Sequence, residues 1–141
     1  MSLRSRRAAA AWCLFDFANS SYTTVIITVA FAVYFRQVVV AASDNRADQL
    51  WGMANFAAMF LVALASPLLG AAADYSGRKK FLLVATTLLS VAATALLYFV
   101  GPGDVAAAIV LFVVGTFGFE AGYVFYNAFL PDVAAPEAVG R

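Results

Sequence analysis

The sequence predicts an all-α integral membrane protein with four transmembrane helices. Three observations carry that expectation. The first is composition: 64% of the 141 residues are hydrophobic and 12% are charged, whereas soluble domains carry about 25% charged and about 45–50% apolar residues. The second is that the apolar residues gather into four continuous stretches, each near the ~20 residues a helix needs to cross a bilayer. The third is that the connectors between them are short, polar and rich in turn formers.

The first stretch, Ala8–Phe35, holds one charge, Asp16. Basic residues before an apolar run are also the mark of a cleaved signal peptide. Here the run is too long for a usual signal, and Asp16, Asn19, Ser20 and Ser21 interrupt it. Trp51–Ala73 and Phe81–Val100 hold no charge, and Val105–Leu130 holds only Glu120. The expected spans are residues 12–35, 51–73, 81–100 and 105–127. The runs are continuously apolar rather than alternating, which favours helices over a barrel. Ser43–Leu50 makes the first connector, with Asp44, Asn45, Arg46 and Asp48. The second, Asp74–Lys80, is a charged turn. The third, Gly101-Pro102-Gly103-Asp104, ends on a candidate N-cap for the fourth span. Pro67 could bend the second span, and the third, with only Thr86, Thr87, Ser90 and Thr94 as polar content, reads as a plain lipid-facing helix.

Charge placement predicts topology. Arg4, Arg6, Arg7, Arg78, Lys79, Lys80 and Arg141 fall on one side of the predicted spans, and only Arg36 and Arg46 on the other. The positive-inside rule puts both termini and the charged turn in the cytoplasm. Net charge is +1, so nothing points to nucleic acid. With one cysteine, Cys13, and no histidine, no intrachain disulfide is available and no thiol metal site is expected. No enzyme signature, phosphate loop or cofactor motif appears, and neither enzyme activity nor a cofactor is expected.

The candidate functional residues are the polar ones inside the spans. A charge at a helix centre costs about 2.5–3.5 kcal/mol on insertion scales, so such residues tend to face a bundle interior or a wet cavity. At about 100° per residue, Asp16, Asn19, Ser20, Thr23 and Thr24 fall within an arc of roughly 140°. This polar face is either a cavity wall or coupling site, or a hydrated interface with hydroxyls bonded to backbone. On the fourth span Thr116, Glu120, Tyr123 and Asn127 share one stripe, while Gly115, Gly118 and Gly122 share the opposite face. The Gly118-x-x-x-Gly122 spacing lets another helix approach closely. Glu120 is then either a proton carrier or substrate contact, or half of a structural ion pair with a basic residue such as Arg78.

The turn Gly70-Ala71-Ala72-Ala73-Asp74-Tyr75-Ser76-Gly77-Arg78-Lys79-Lys80 resembles the loop between helices two and three of major facilitator superfamily transporters. With Phe81-Leu82 after it, it matches at Gly70, Ala73, Asp74, Gly77, Arg78, Lys79 and Leu82, and departs at Ala72, usually leucine, and Tyr75, often basic. Asp16-Phe-Ala-Asn19-Ser20 resembles the start of helix one in the vacuole-effluxer-like branch and its bacterial relatives. Asn127-Ala-Phe-Leu-Pro131-Asp132, followed by Gly140-Arg141, is similar to the segment after helix four in that branch.

The resemblance implies a twelve-helix fold of which this chain supplies the first four. It also implies secondary transport of a small solute, with amino acids suggested by the branch. The Gly70–Lys79 loop becomes a conformational latch, and Asp16, Asn19, Glu120, Tyr123 and Asn127 become substrate or proton-coupling candidates. The expected partners are the lipid bilayer, a small-molecule substrate and further C-terminal helices of the same polypeptide, in a plasma or inner membrane. The chain reads as an N-terminal fragment. Two other readings remain open: a complete four-helix exporter working as an oligomer, and a membrane scaffold.

Overall fold

The computed structural model describes residues 3–41, 45–75 and 78–129, with the backbone alone for residues 3–9 and 73–75. No strand occurs among them. Four helical spans cross the molecule: Ala10–Val40, Arg46–Ala72, Lys79–Phe99 and Val105–Asn127. They are built from helices α1 (Leu3–Tyr22), α2 (Ala30–Tyr34), α3 (Arg46–Tyr75), α4 (Lys79–Leu96) and α5 (Val105–Asn127). By length and composition each span is able to cross a bilayer.

The first span is longer and less regular than its composition suggests. Between α1 and α2 the chain winds as a π-helix over Thr23–Thr28. All six residues are β-branched, which crowds the ordinary α turn. The threonine hydroxyls also compete for carbonyls: Thr28 donates to Thr23 O at 2.9 Å and Thr24 to Ser20 O at 3.3 Å. The Val29 amide reaches back five residues to Thr24 O at 3.0 Å, and Val29 itself sits at φ −115°, ψ −78°. A second π-helical stretch, Phe35–Val40, carries the span past Arg36 to Ala41, whose left-handed φ of 47° ends it. Arg36 is tolerated because its Nε donates to Ala32 O and its Nη1 pairs with Asp48 at 3.1 Å.

The core gathers at the end of the bundle that holds Tyr34. Phe31, Phe35 and Val39 of the first span pack with Ala54, Leu97, Val100, Ala108 and Phe112. Trp51 closes this cluster, its ring 4.6 Å from Phe112 and 5.4 Å from Phe35. Two hydrogen bonds lock the same end: Tyr34 Oη donates to Val100 O at 2.7 Å, and Gly103 N to Val39 O at 2.9 Å. Gly103 holds φ +90°, which its lack of a side chain permits. Asp104 does occupy the N-cap position of α5, but its carboxylate accepts from Gly101 N at 3.0 Å and makes no bond to the helix it precedes.

The third span corrects an expectation. It is the main packing partner of α5 rather than a plain lipid-facing helix. The reason is the glycine face. A Cβ on Gly118 would lie 2.9 Å from both Ser90 N and Thr86 O, so the two backbones pass nearly in contact. Gly115 and Gly122 extend that seam to Ala93 and Thr86. Pro67 sits inside α3, which runs through it unbroken from Arg46 to Tyr75.

The opposite end of the bundle is held differently. Tyr126 stacks on Trp12, centroids 4.7 Å apart, and donates its hydroxyl to Trp12 O at 3.0 Å. Lys79 Nζ reaches Ala128 O at 3.1 Å, where the end of a helix leaves carbonyls without partners. The start of the first span, the start of the third and the end of the fourth therefore meet at one end. Arg36 and Arg46 belong to the other. The helices alternate up and down.

Candidate functional site

A cleft of about 290 Å³ opens between the first and fourth spans. From α1 it is lined by Asp16, Asn19 and Ser20, with Thr23 of the adjoining π-helical turn; from α5 it is lined by Phe119, Glu120 and Tyr123. Two elements produce it. On α1 the i, i+3, i+4 and i+7 positions turn one polar face toward α5. On α5 the glycine seam fixes the helix's rotation against the third span, which leaves the opposite face, with Glu120 and Tyr123, toward α1.

Both carboxylates in the predicted spans thus share one wall-to-wall space, and among the described residues no lysine or arginine lines it. Among the described residues the Glu120 carboxylate has no ion-pair partner. Ser20 Oγ donates to Asp16 O at 3.0 Å, so its lone pairs, like those of the carboxylates and the Asn19 amide oxygen, remain available to a donor in the cleft. The Asn19 amide nitrogen and the hydroxyls of Thr23 and Tyr123 add donors, so the chemistry on offer is rich in acceptors without being limited to them. It suits a proton, a small cation or the donor groups of a polar solute.

The sequence-predicted candidates divide. Asp16, Asn19, Glu120 and Tyr123 come together. Asn127 does not line the cleft; it is the last residue of α5 and exposed. Gly70 lies inside α3, with open space where a Cβ would stand, and Asp74 lies in that helix's last turn. Arg78 directly precedes α4, Lys79 is its first residue and clips the third span to the fourth, and Gly77 lies outside the described residues. Pro131, Asp132, Gly140 and Arg141 also lie outside them.

Two residues of the site went unmarked in the sequence. Phe119 forms part of the cleft wall, and its ring stacks on Tyr22 at 4.7 Å. The Tyr22 hydroxyl meets Thr116 Oγ1 at 3.2 Å, and Thr116 is fully buried. On the other side of this pair lies a second, mostly apolar cavity of about 560 Å³ between the first, third and fourth spans, open at its far side past the exposed Val25 and Val91. Asn19 and Phe119 line both spaces. An aromatic in an apolar helix is the commonest of neighbours, so nothing in the sequence distinguishes Phe119 from the other twelve phenylalanines.

Residues 53–139 match the family described as "Vacuole effluxer Atg22 like". The chain belongs to that family. It is also 31% identical over 135 residues to a Bacillus subtilis (strain 168) protein described as an uncharacterized MFS-type transporter, YxiO; the match covers 94% of this chain and 32% of that relative. The chain thus spans about a third of the relative's length. No solved structure matches it. The four apolar spans and the family place the chain among multi-pass membrane proteins of the major facilitator type.

Proposed function

We propose that this chain forms the first four membrane helices of a secondary active transporter for a small polar solute, and that the Asp16–Glu120 cleft lies on its transport path. The observation that carries the reading is the meeting of two carboxylates from different spans in one cleft that, among the described residues, no basic side chain lines. Charges at such depth are costly unless compensated. A coupling cation or the cationic group of a solute offsets that cost when it binds, and its departure restores it. Asn19, Ser20 and Tyr123 supply neutral hydrogen-bonding partners that orient the solute.

The finer features follow from the same reading. The solute class that the family resemblance suggests is amino acids or similar molecules, moved without chemical conversion. The basic end of the bundle, with Arg78–Lys80, faces the cytoplasm, and the membrane is the plasma or inner membrane. Further helices of the same polypeptide complete the path, as inverted or parallel repeats do in such transporters.

The test is uptake by the complete gene product in proteoliposomes. A mixture of radiolabelled amino acids is offered under an imposed proton or sodium gradient. Asp16→Asn and Glu120→Gln are expected to reduce uptake by about tenfold or more, with unchanged gel-filtration profile. Full uptake in both variants would remove the cleft from the transport path.

A further inference from the structure

The geometry points to Phe119, backed by Tyr22, as a partition that divides the polar cleft from the apolar, outward-opening cavity on its other side and so sets how deep a solute can enter. This rests on the transport reading of the cleft. Phe119 and Asn19 are the two residues common to both spaces. The ring of Phe119 is not free to leave. It lies against Tyr22 at 4.7 Å and 17°, and Tyr22 is tethered through its hydroxyl to the buried Thr116. Gly115 makes room for that hydroxyl, since a Cβ there would stand 2.9 Å from it.

The two spaces differ in what they can hold. The cleft is walled by carboxylate, amide and hydroxyl groups. In the larger cavity, Thr87 donates to Leu83 O at 2.7 Å and Thr94 to Ser90 O at 2.8 Å, so these hydroxyls already spend their protons on their own helix. A space lined this way, and open past the exposed Val25 and Val91, takes up hydrocarbon rather than water. With the partition in place, water and a polar solute stop at the Phe119 ring. Without it, the cleft opens onto a void about twice its own volume.

Cysteine labelling reads this directly, without a known substrate. In the complete gene product with Cys13 replaced by serine, a membrane-impermeant methanethiosulfonate reagent is applied from each side. Ser20→Cys reports the cleft and Thr87→Cys the cavity. Ser20→Cys is expected to react and Thr87→Cys to stay inert. Adding Phe119→Ala raises the Thr87→Cys rate about tenfold or more, because thiol reactivity follows access of water to the thiolate. Phe119→Val gives a smaller rise, and Phe119→Trp none. The partition is overturned if Thr87→Cys reacts as fast as Ser20→Cys with Phe119 in place. It is equally overturned if Thr87→Cys stays inert in both the Ala and Val backgrounds while Ser20→Cys still labels in them. An inert Ser20→Cys in the parent overturns the wet cleft itself, and with it the transport reading. Loss of uptake in the Asp16→Asn variant with this labelling pattern intact leaves both standing.

Discussion

Gly118→Ala is the sharpest perturbation of this bundle. The added Cβ would sit 2.9 Å from Ser90 N, 2.9 Å from Thr86 O and 3.3 Å from Ser90 Cα. All three are backbone atoms, so no rotamer change relieves the contact. The third and fourth spans must separate by roughly 0.5–1 Å, and a gap of that size forfeits about a quarter to a half of the dispersion energy along the seam. In a bilayer that packing is the main force between helices, because lipid tails are as apolar as the side chains. Overpacking of this kind costs about 1–3 kcal/mol. Gly70→Ala is the matched control: nothing lies within 4 Å of its Cβ, and helix propensity alone gives about 0.5–1 kcal/mol of gain. The two variants should therefore differ by about 2 kcal/mol, or roughly 4–8 °C in Tm for a chain near this size. Thermal unfolding in detergent, followed by tryptophan fluorescence and by loss of the monodisperse gel-filtration peak, measures the difference. Equal melting of the two variants, or a lower Tm for Gly70→Ala, would refute the close approach of the third and fourth spans.

Other perturbations are smaller and act elsewhere. Tyr22→Phe removes the 3.2 Å bond to Thr116 Oγ1 and leaves that hydroxyl buried without its cross-span partner; a loss of about 1–2 kcal/mol is expected in the same melting assay, and Thr116→Val in the Phe background should recover part of it. Arg36→Ala breaks the pair with Asp48, whose side chains are 44% and 64% exposed. It should cost less than about 0.5 kcal/mol, and added salt should shrink even that difference.

The four spans were legible because length and apolarity alone decide them. Their ends were not. The second helix begins at Arg46 rather than Trp51, because Asp48 falls in its first turn, where the helix dipole favours an acid. The first span runs on to Val40 rather than stopping near Phe35, because Arg36 finds a carbonyl and a carboxylate along the way. Asp16, Asn19, Glu120 and Tyr123 were legible as candidates, since polar residues at membrane depth stand out against an apolar background. That they face one another depends on the rotation of α5. The glycine stripe held that information, although the partner it selects, the third span, was not evident from a helix with so little polar content. Asn127 shares the stripe of Glu120 but lies beyond the cleft. A helical wheel gives direction around the axis and says nothing of where the neighbouring helix ends. Phe119 and Tyr22 were invisible for a simpler reason: their role comes from a stack across two spans that no spacing encodes.

The π-helical turn at Thr23–Thr28 makes the two acids of the cleft mechanically unequal. Glu120 rides on a helix whose rotation is dictated by backbone contact along the glycine seam. Asp16 rides on a segment joined to the locked half of its own span through six residues, none of them buried. The wall bearing Glu120 behaves as a stator. The wall bearing Asp16 is held to α5 through side chains, by the stacks of Trp12 on Tyr126 and of Tyr22 on Phe119, so re-aiming it breaks ring contacts and one or two hydrogen bonds and leaves the backbone seam untouched.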